Sequence, residues 1–148
     1  GEVERRGLKD RFLMLGQYPV ERMPSFYIHA DALLVSLKDT PIFAMTIPGK
    51  LQSYLASGIP VLAMLNGEGA EIVSASHAGL SCPAGDGAAL AAADRKLASL
   101  PEAEKSEMGA REKRLSQTEF DRATLITRLL AWFDELSINN KLRREGGR

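Results

Sequence analysis

Four short runs of apolar residues, separated by stretches with helical periodicity, constrain the fold of this chain more than any other feature. The runs span residues 11–15, 32–36, 60–65 and 79–82. They are continuously apolar and do not alternate with polar residues, which is typical of strands buried on both faces of a parallel sheet. Helices are predicted between them, the first over residues 19–30. The pattern therefore predicts an α/β fold.

The order of these elements predicts a doubly wound, Rossmann-like parallel sheet with helices on both faces. An irregular loop over residues 38–46 follows the second strand, and a helix then runs from Pro48 to a C-cap at Gly58. Four strands are fewer than the roughly five or six of a complete sheet of this type. We therefore expect a partial Rossmann-like domain over residues 1–137 that lacks its first strands, followed by a polar tail over residues 138–148.

Three helices are predicted after the last strand. Asp86 is the expected N-cap of an alanine-rich helix that ends near residue 100. A second, charged helix begins at Pro101 and is expected to be exposed. The third is a long C-terminal amphipathic helix over residues 121–136, and we expect it to pack partly on something outside the chain. Its apolar stripe consists of Leu125, Ile126, Leu129, Leu130, Phe133 and Leu136.

Composition excludes several classes of function. Nineteen basic residues balance nineteen acidic ones, which argues against a nucleic-acid binder because such proteins carry a basic face. One cysteine, Cys82, and two histidines make a structural zinc site implausible, and no carboxylate cluster suggests Mg²⁺. We therefore predict no metal and no cofactor. With no signal peptide and no apolar run of about 20 residues, the expected location is the cytoplasm, and peripheral contact of the basic tail with the inner face of the membrane stays open.

Ligands of open parallel sheets bind beyond the carboxyl ends of the strands. Three loops are expected to converge at that edge, over residues 16–19, 36–49 and 66–71. In the second loop, Pro48 suits the first position of a helix because it lacks an amide hydrogen. The amides of the next three residues are then expected to point outward without partners and to bind an anion, and Lys50 adds a positive charge. The alternative is that Lys50 extends into solvent or pairs with Asp39.

The third loop carries acidic residues at the start of its helix. Glu68 and Glu71 already complement the helix dipole and would repel phosphate, so we expect this loop to hold sugar hydroxyls, or else to contain ordinary first-turn acids. Gly67 and Gly69 would allow a ligand to approach the backbone. Ser53 lies one turn after Lys50, where its hydroxyl could reach a ribose.

These segments resemble the C-terminal, nucleotide-sugar-binding domain of family 4 retaining glycosyltransferases, which have the two-domain GT-B fold and act in bacterial polysaccharide and lipopolysaccharide synthesis. The resemblance runs from about residue 10 to residue 97, and its pieces are residues 12–16, 27–31, 48–61, 67–73, 79–80 and 83–86. It implies a UDP- or GDP-sugar donor, a saccharide or lipid-linked acceptor, and an N-terminal acceptor domain in the same enzyme.

By the same resemblance, the turn after residue 15 would lie against the base, the helix start at Pro48 would meet the diphosphate, Ser53 would face the ribose, and residues 67–71 would border the sugar. The substrate-binding residues predicted in this way are Gly16, Gln17, Pro48, Gly49, Lys50, Leu51, Ser53, Gly67, Glu68, Gly69 and Glu71. No catalytic residue is identified.

The sequence departs from the family at two positions. Many members carry two glutamates separated by seven residues, where this chain has Met45 and Ser53. A serine binds ribose hydroxyls less well than a carboxylate does. Two alternatives therefore stay open beside a hexosyltransferase that is inactive as an isolated fragment: a non-catalytic nucleotide-binding domain, or another GT-B enzyme such as a sugar-nucleotide epimerase.

Overall fold

The computed structural model of the chain describes the backbone of residues 1–145 and the side chains of residues 1–138. Three parallel strands form one sheet in the order β1 (Leu33–Ser36), β2 (Val61–Met64) and β3 (Gly79–Cys82). The register aligns Leu33 with Val61 and Val61 with Gly79. The α/β class, the parallel sheet and three of the four predicted strands are thus confirmed.

The described part of the chain contains eight α-helices and one 3₁₀ turn at Val20–Arg22. They are α1 (Glu2–Arg5), α2 (Met23–Tyr27), α3 (Pro41–Ala44), α4 (Gly49–Ser57), α5 (Glu68–Ala75), α6 (Gly87–Ser99), α7 (Glu102–Glu119) and α8 (Arg122–Glu145). Two of the predicted helix boundaries are confirmed by their caps. Gly58 ends α4 in the left-handed region, with φ of 72°, and the Asp86 carboxylate accepts the Ala89 amide at 2.9 Å.

The predicted first strand is wrong. Residues 11–15 form no strand, and their apolar side chains are exposed, to 87% for Met14. The apolar side chains of a segment show that its burial would be favourable. Burial also needs a second surface that packs against the segment, and the segment's own sequence does not provide one. The outer edge of β1 has no described neighbour, and Leu34 on that strand is 49% exposed.

Two predicted boundaries also need correction, and a proline explains each. The helix expected over residues 19–30 is split into the 3₁₀ turn and α2, because Pro24 is tolerated only in the first turn of a helix and α2 therefore begins at Met23. The loop expected over residues 38–46 contains the short helix α3, which Pro41 initiates.

Both faces of the central strand are buried. Val61 and Ala63 belong to a core that also contains Val35, Leu51, Leu55, Leu65, Val73 and Ala78. Leu62 faces the opposite side of the sheet, where α6 contacts β2 and β3. Each such aliphatic side chain contributes about 1.5–3 kcal/mol when it is fully buried. The core therefore fixes the positions at which α4 and α5 begin.

Helix α7 is exposed over most of its residues, as its charged sequence predicts, but one face of it packs against α4. Gly109 is buried against α4, and a Cβ atom at this position would lie 2.1 Å from the Gly58 carbonyl oxygen. The Glu112 side chain is fully buried, and its Oε1 accepts the Val61 amide at 3.0 Å. Its Oε2 has no described partner. Burial raises the pKa of Glu112 to about 9, although the Val61 hydrogen bond opposes this shift.

Helix α8 confirms the predicted long C-terminal helix and extends past its expected end at residue 136 to Glu145. The apolar stripe is exposed along its described length, with 45–60% of each large apolar side chain accessible from Leu125 to Ile138. No described helix is both long and apolar enough to cross a membrane.

Candidate functional site

The loops after the three strands meet at the carboxyl edge of the sheet, and Asn66 joins them. Its Nδ2 donates to Asp39 Oδ1 at 2.9 Å, in the loop after β1. Its Oδ1 accepts the Ala84 amide at 3.0 Å, in the loop after β3. Sequence reasoning placed Asn66 in the third loop but missed this role. The available signal was an amide side chain directly after a buried strand, where it can reach both neighbouring loops.

The two predicted glycines of the third loop serve protein packing. Gly67 has φ of 73°, and a Cβ atom there would lie 1.9 Å from the Ala44 carbonyl oxygen. Gly69 is buried, and its hypothetical Cβ would lie 3.0 Å from Leu65 and 3.5 Å from Pro48. Protein therefore fills the space on the side of each glycine where a Cβ atom would point. The same contacts bring the second and third loops together, as the sequence predicted.

The start of α4 differs in two details from the prediction. Pro48 is the N-cap, with φ of −63° and ψ of 135°, because its extended ψ keeps it outside the helix. The Leu51 amide donates to the Pro48 carbonyl oxygen at 2.9 Å, so it does not point outward without a partner. The amides of Gly49 and Lys50 precede this first bond, and no side chain caps them.

Access and charge at this helix start favour an anion. A Cβ atom at Gly49 would meet nothing within 4 Å, so the backbone is open on that side. Lys50 is exposed, and the first turn of α4 contains no acid. Among the described side chains, Lys50 forms no ion pair, and Asp39 accepts from Asn66 in place of the alternative pairing with Lys50. The positive end of the helix dipole and an ammonium group are thus adjacent.

The two positions at which the sequence departs from the resemblance, Met45 and Ser53, are exposed near this start. Met45 is 76% exposed at the end of α3. The Ser53 hydroxyl donates to the Gly49 carbonyl oxygen at 3.3 Å, which leaves its lone pairs free to accept. Ser53 also lines a cavity of about 440 Å³ between α2 and α4, whose walls include Tyr27 and Ile59.

Glu68 and Glu71 are exposed in the first turn of α5, as predicted. Glu68 lines a second cavity, of about 470 Å³, which reaches α7 and α8. The two neighbouring helix starts therefore differ in charge: α4 presents Lys50 and open amides, whereas α5 presents two carboxylates.

The first predicted loop stands apart from this arrangement. Gly16 has φ of 81°, as a turn requires, and Gln17 is exposed. The aromatic contacts of this segment are local: the Tyr18 ring centroid lies 4.9 Å from that of Phe26 and 5.8 Å from the Arg22 guanidinium carbon. The structure places the second and third loops in contact, but it shows no such contact for Gly16 or Gln17.

The parallel sheet with helices on both faces, and with two helix starts beside each other at its carboxyl edge, defines a Rossmann-like α/β domain. The chain belongs to the family described as glycosyl transferases group 1, whose model matches residues 1–99. A search of curated proteins found no significant match.

A solved structure of sucrose-phosphate synthase from Thermosynechococcus elongatus shares the fold. Its TM-score is 0.72, its sequence identity is 22%, and the match covers 93% of this chain. This chain spans only 33% of the length of that structure.

Proposed function

We propose that this chain is the donor-binding part of a retaining glycosyltransferase. The full-length enzyme would transfer a hexosyl unit from a nucleoside-diphosphate sugar to a saccharide or lipid-linked acceptor in cell-surface polysaccharide synthesis. The observation that carries the proposal is the start of α4, where no side chain caps the amides of Gly49 and Lys50, the backbone at Gly49 is open, and Lys50 is exposed.

The difference in charge between the starts of α4 and α5 supports placing the diphosphate and the sugar of the donor at different helix starts. A diphosphate is stabilised at α4, where two backbone amides and Lys50 face it. It is disfavoured at α5, where Glu68 and Glu71 occupy the first turn. Carboxylates there suit hydroxyl groups, which donate hydrogen bonds to them. In the proposed arrangement the diphosphate lies at residues 48–51 and the sugar borders residues 67–71.

The remaining donor contacts are also proposals. Ser53 would accept from a ribose hydroxyl, because its own hydrogen is directed to the Gly49 carbonyl oxygen. Gly16 and Gln17 would lie against the base, which requires that their exposed segment move toward Ser53 in the complex. Catalysis would then consist mainly of positioning the sugar and of stabilising charge on the leaving diphosphate.

The acceptor domain of a longer enzyme is the proposed partner. The exposed stripe of α8, the exposed residues 12–15 and the outer edge of β1 are apolar surfaces that such a domain would cover. Because this chain is about a third as long as the sucrose-phosphate synthase structure, we expect donor binding by the chain alone to be weak and turnover to be absent.

A titration of the ¹⁵N-labelled chain with UDP and GDP, followed by NMR, tests the proposal. We expect saturable shifts at Gly49, Lys50 and Ser53, and a Kd at least about 10-fold higher in Lys50→Ala, because one charge-assisted hydrogen bond of about 1.5–3 kcal/mol is lost. Lys96→Ala, an exposed lysine on α6, is the matched control and should bind as the unmodified chain does. Chemical-shift changes that do not include the α4 start would contradict the donor site, as would an equal loss of affinity in both variants.

A non-catalytic nucleotide-binding domain is the second candidate, favoured by the absence of carboxylates at Met45 and Ser53. Incubation of the full-length enzyme with a labelled nucleotide sugar separates the two. Release of nucleotide together with a labelled saccharide supports transfer, an isomerised nucleotide sugar indicates an epimerase, and an unchanged donor that still binds indicates the non-catalytic domain.

A further inference from the structure

Helix α3 and its C-cap residue Met45 present an apolar surface to solvent at the carboxyl edge of the sheet. Ile42, Phe43 and Met45 are 67%, 38% and 76% exposed, and we call these three residues the α3 patch. Ile42 and Met45 are three residues apart and share one side of the helix, whereas Ala44 is half-buried. Single exposed apolar side chains are ordinary, but an adjacent group of them beside a ligand position indicates a contact surface.

The α3 patch adjoins both helix starts of the proposed donor site. On one side, the Ala44 carbonyl oxygen packs on Gly67, the N-cap of α5, so closely that Gly67 has no room for a Cβ atom. On the other side, three peptide units lead from Met45 to Pro48, the N-cap of α4, and they span about 11 Å at most. The patch therefore lies next to the positions proposed above for the diphosphate and for the sugar.

Backbone hydrogen bonds hold the α3 patch in place. The Ala44 amide donates to the Thr40 carbonyl oxygen at 3.1 Å, and the Thr46 amide donates to that of Phe43 at 3.2 Å. The Thr46 hydroxyl donates to the Ile42 carbonyl oxygen at 2.7 Å, so its hydrogen is directed to the backbone and away from a ligand. Because the backbone of the patch is already ordered, contact with a ligand costs little additional conformational entropy.

The two sides of the proposed sugar position differ in chemistry. The first turn of α5 carries Glu68 and Glu71, which accept hydrogen bonds from hydroxyl groups. In the α3 patch, Ile42 and Phe43 have no polar side-chain atom, and the Met45 thioether is only a weak acceptor. A sugar hydroxyl placed against the patch would lose its water partners without gaining others. A methyl group in the same place gains the free energy of apolar burial.

We propose that the α3 patch selects a donor sugar with a methyl-bearing substituent, and that Met45 is the main specificity-determining residue. The methyl group belongs either to a 6-deoxy sugar or to an N-acetylated amino sugar, and both offer the same apolar contact. The inference rests on the proposed function, because it needs the diphosphate at the start of α4, and it narrows the hexosyl donors to one chemical class. Burial of one methyl group, at about 0.8 kcal/mol, corresponds to a Kd about fourfold lower.

Matched donors test the inference by NMR on the ¹⁵N- and methyl-labelled chain. UDP-glucose is compared with UDP-N-acetylglucosamine and with UDP-6-deoxyglucose, and GDP-mannose with GDP-6-deoxymannose. Because the nucleotide is the same within each comparison, only the sugar substituent differs, and the N-acetyl and 6-deoxy donors distinguish the two sources of the methyl group. We expect a Kd about fourfold lower for at least one methyl-bearing donor, together with a nuclear Overhauser contact between its methyl group and that of Met45.

A polar substitution at Met45 tests the residue itself. Met45→Gln keeps the length of the side chain and replaces its apolar end by an amide, so the preference for the methyl-bearing donor should fall to within about twofold. Leu130→Gln is the matched control, because Leu130 is also an exposed apolar residue, at 58%, but lies on α8. This variant should keep the full preference.

The outcomes separate this inference from the proposed function. Nucleotide shifts at Lys50 with equal Kd values in every comparison, or tighter binding of every hydroxyl-bearing partner, would overturn the inference and leave the donor site standing. A preference that survives in Met45→Gln would overturn the role of the α3 patch. The absence of shifts at Lys50 with all of these donors would contradict the proposed function, and this inference with it.

Discussion

Replacement of Glu112 by glutamine is predicted to stabilise the fold at neutral and alkaline pH. The carboxyl group is fully buried, and its pKa is raised from 4.5 to about 9. Between these two values the folded chain keeps the proton that the unfolded chain releases. The unfolded state therefore binds fewer protons, and the free energy of unfolding must fall as the pH rises.

The size of this loss of stability follows from the pH range over which the folded chain keeps a proton that the unfolded chain releases. Each pH unit costs about 1.4 kcal/mol, so the native glutamate makes the chain less stable at about pH 7.5 than at pH 4.5 by as much as roughly 4 kcal/mol. Glutamine keeps an oxygen to accept the Val61 amide. Its NH₂ group replaces the protonated Oε2, which has no described partner either, so the two side chains should be nearly equivalent at pH 4.5.

Urea denaturation followed by circular dichroism, at half-unit intervals from about pH 4.5 to pH 9, measures this effect. The Glu112→Gln variant should match the unmodified chain at the acidic end and exceed it progressively above, by about 2–4 kcal/mol near pH 7.5. Glu104→Gln removes an exposed carboxylate from the same helix and should leave the pH dependence unchanged. Parallel stability curves for Glu112→Gln and the unmodified chain would refute the burial argument.

Two further predictions concern the contact between the second and third loops. Gly67→Ala should destabilise the chain by about 3 kcal/mol or more, because its Cβ would overlap the Ala44 carbonyl oxygen at a positive φ, whereas Gly85→Ala, with a similar φ and open space, should cost only about 1 kcal/mol. Equal losses in urea denaturation would contradict this difference. Asn66→Ala should cost about 1–3 kcal/mol, because it removes the hydrogen bonds to Asp39 and from the Ala84 amide, and Ser99→Ala, which removes one exposed bond on α6, is the control. A loss no larger than that of Ser99→Ala would show that Asn66 does not hold the loops together.

The predicted elements that are confirmed are those with strong local signals. Strands β1, β2 and β3 are short apolar runs between turn residues, and Gly58 and Asp86 are residue types that helix ends prefer. Residues 11–15 carry the same apolar signal and form no strand. Residues 11–15 differ from the three strands because the outer edge of β1 has no described partner. The sequence of the segment itself does not reveal this absence.

The candidate site shows the same division between local and distant information. The uncapped start of α4 could be predicted from Pro48, Gly49 and Lys50, which are adjacent in sequence. The role of Gly67 could not, because it depends on Ala44, more than twenty residues earlier. The second cavity was missed altogether, because Gln52 and Arg128, which line it, belong to different helices, and helical periodicity does not show which helices meet. The buried face of α7, with Gly109 and Glu112, was missed for the same reason.

The chain has a formal net charge of zero, but opposite charges are separated between two neighbouring helix starts. Lys50 at the start of α4 and Glu68 at the start of α5 give two neighbouring helix ends opposite preferences, although both dipoles are positive there. At α5 the two first-turn carboxylates outweigh the helix's partial charge of about half a unit, so this end repels anions, whereas at α4 the charges add. A nucleotide sugar matches this order because its charge is confined to the diphosphate and its sugar is neutral.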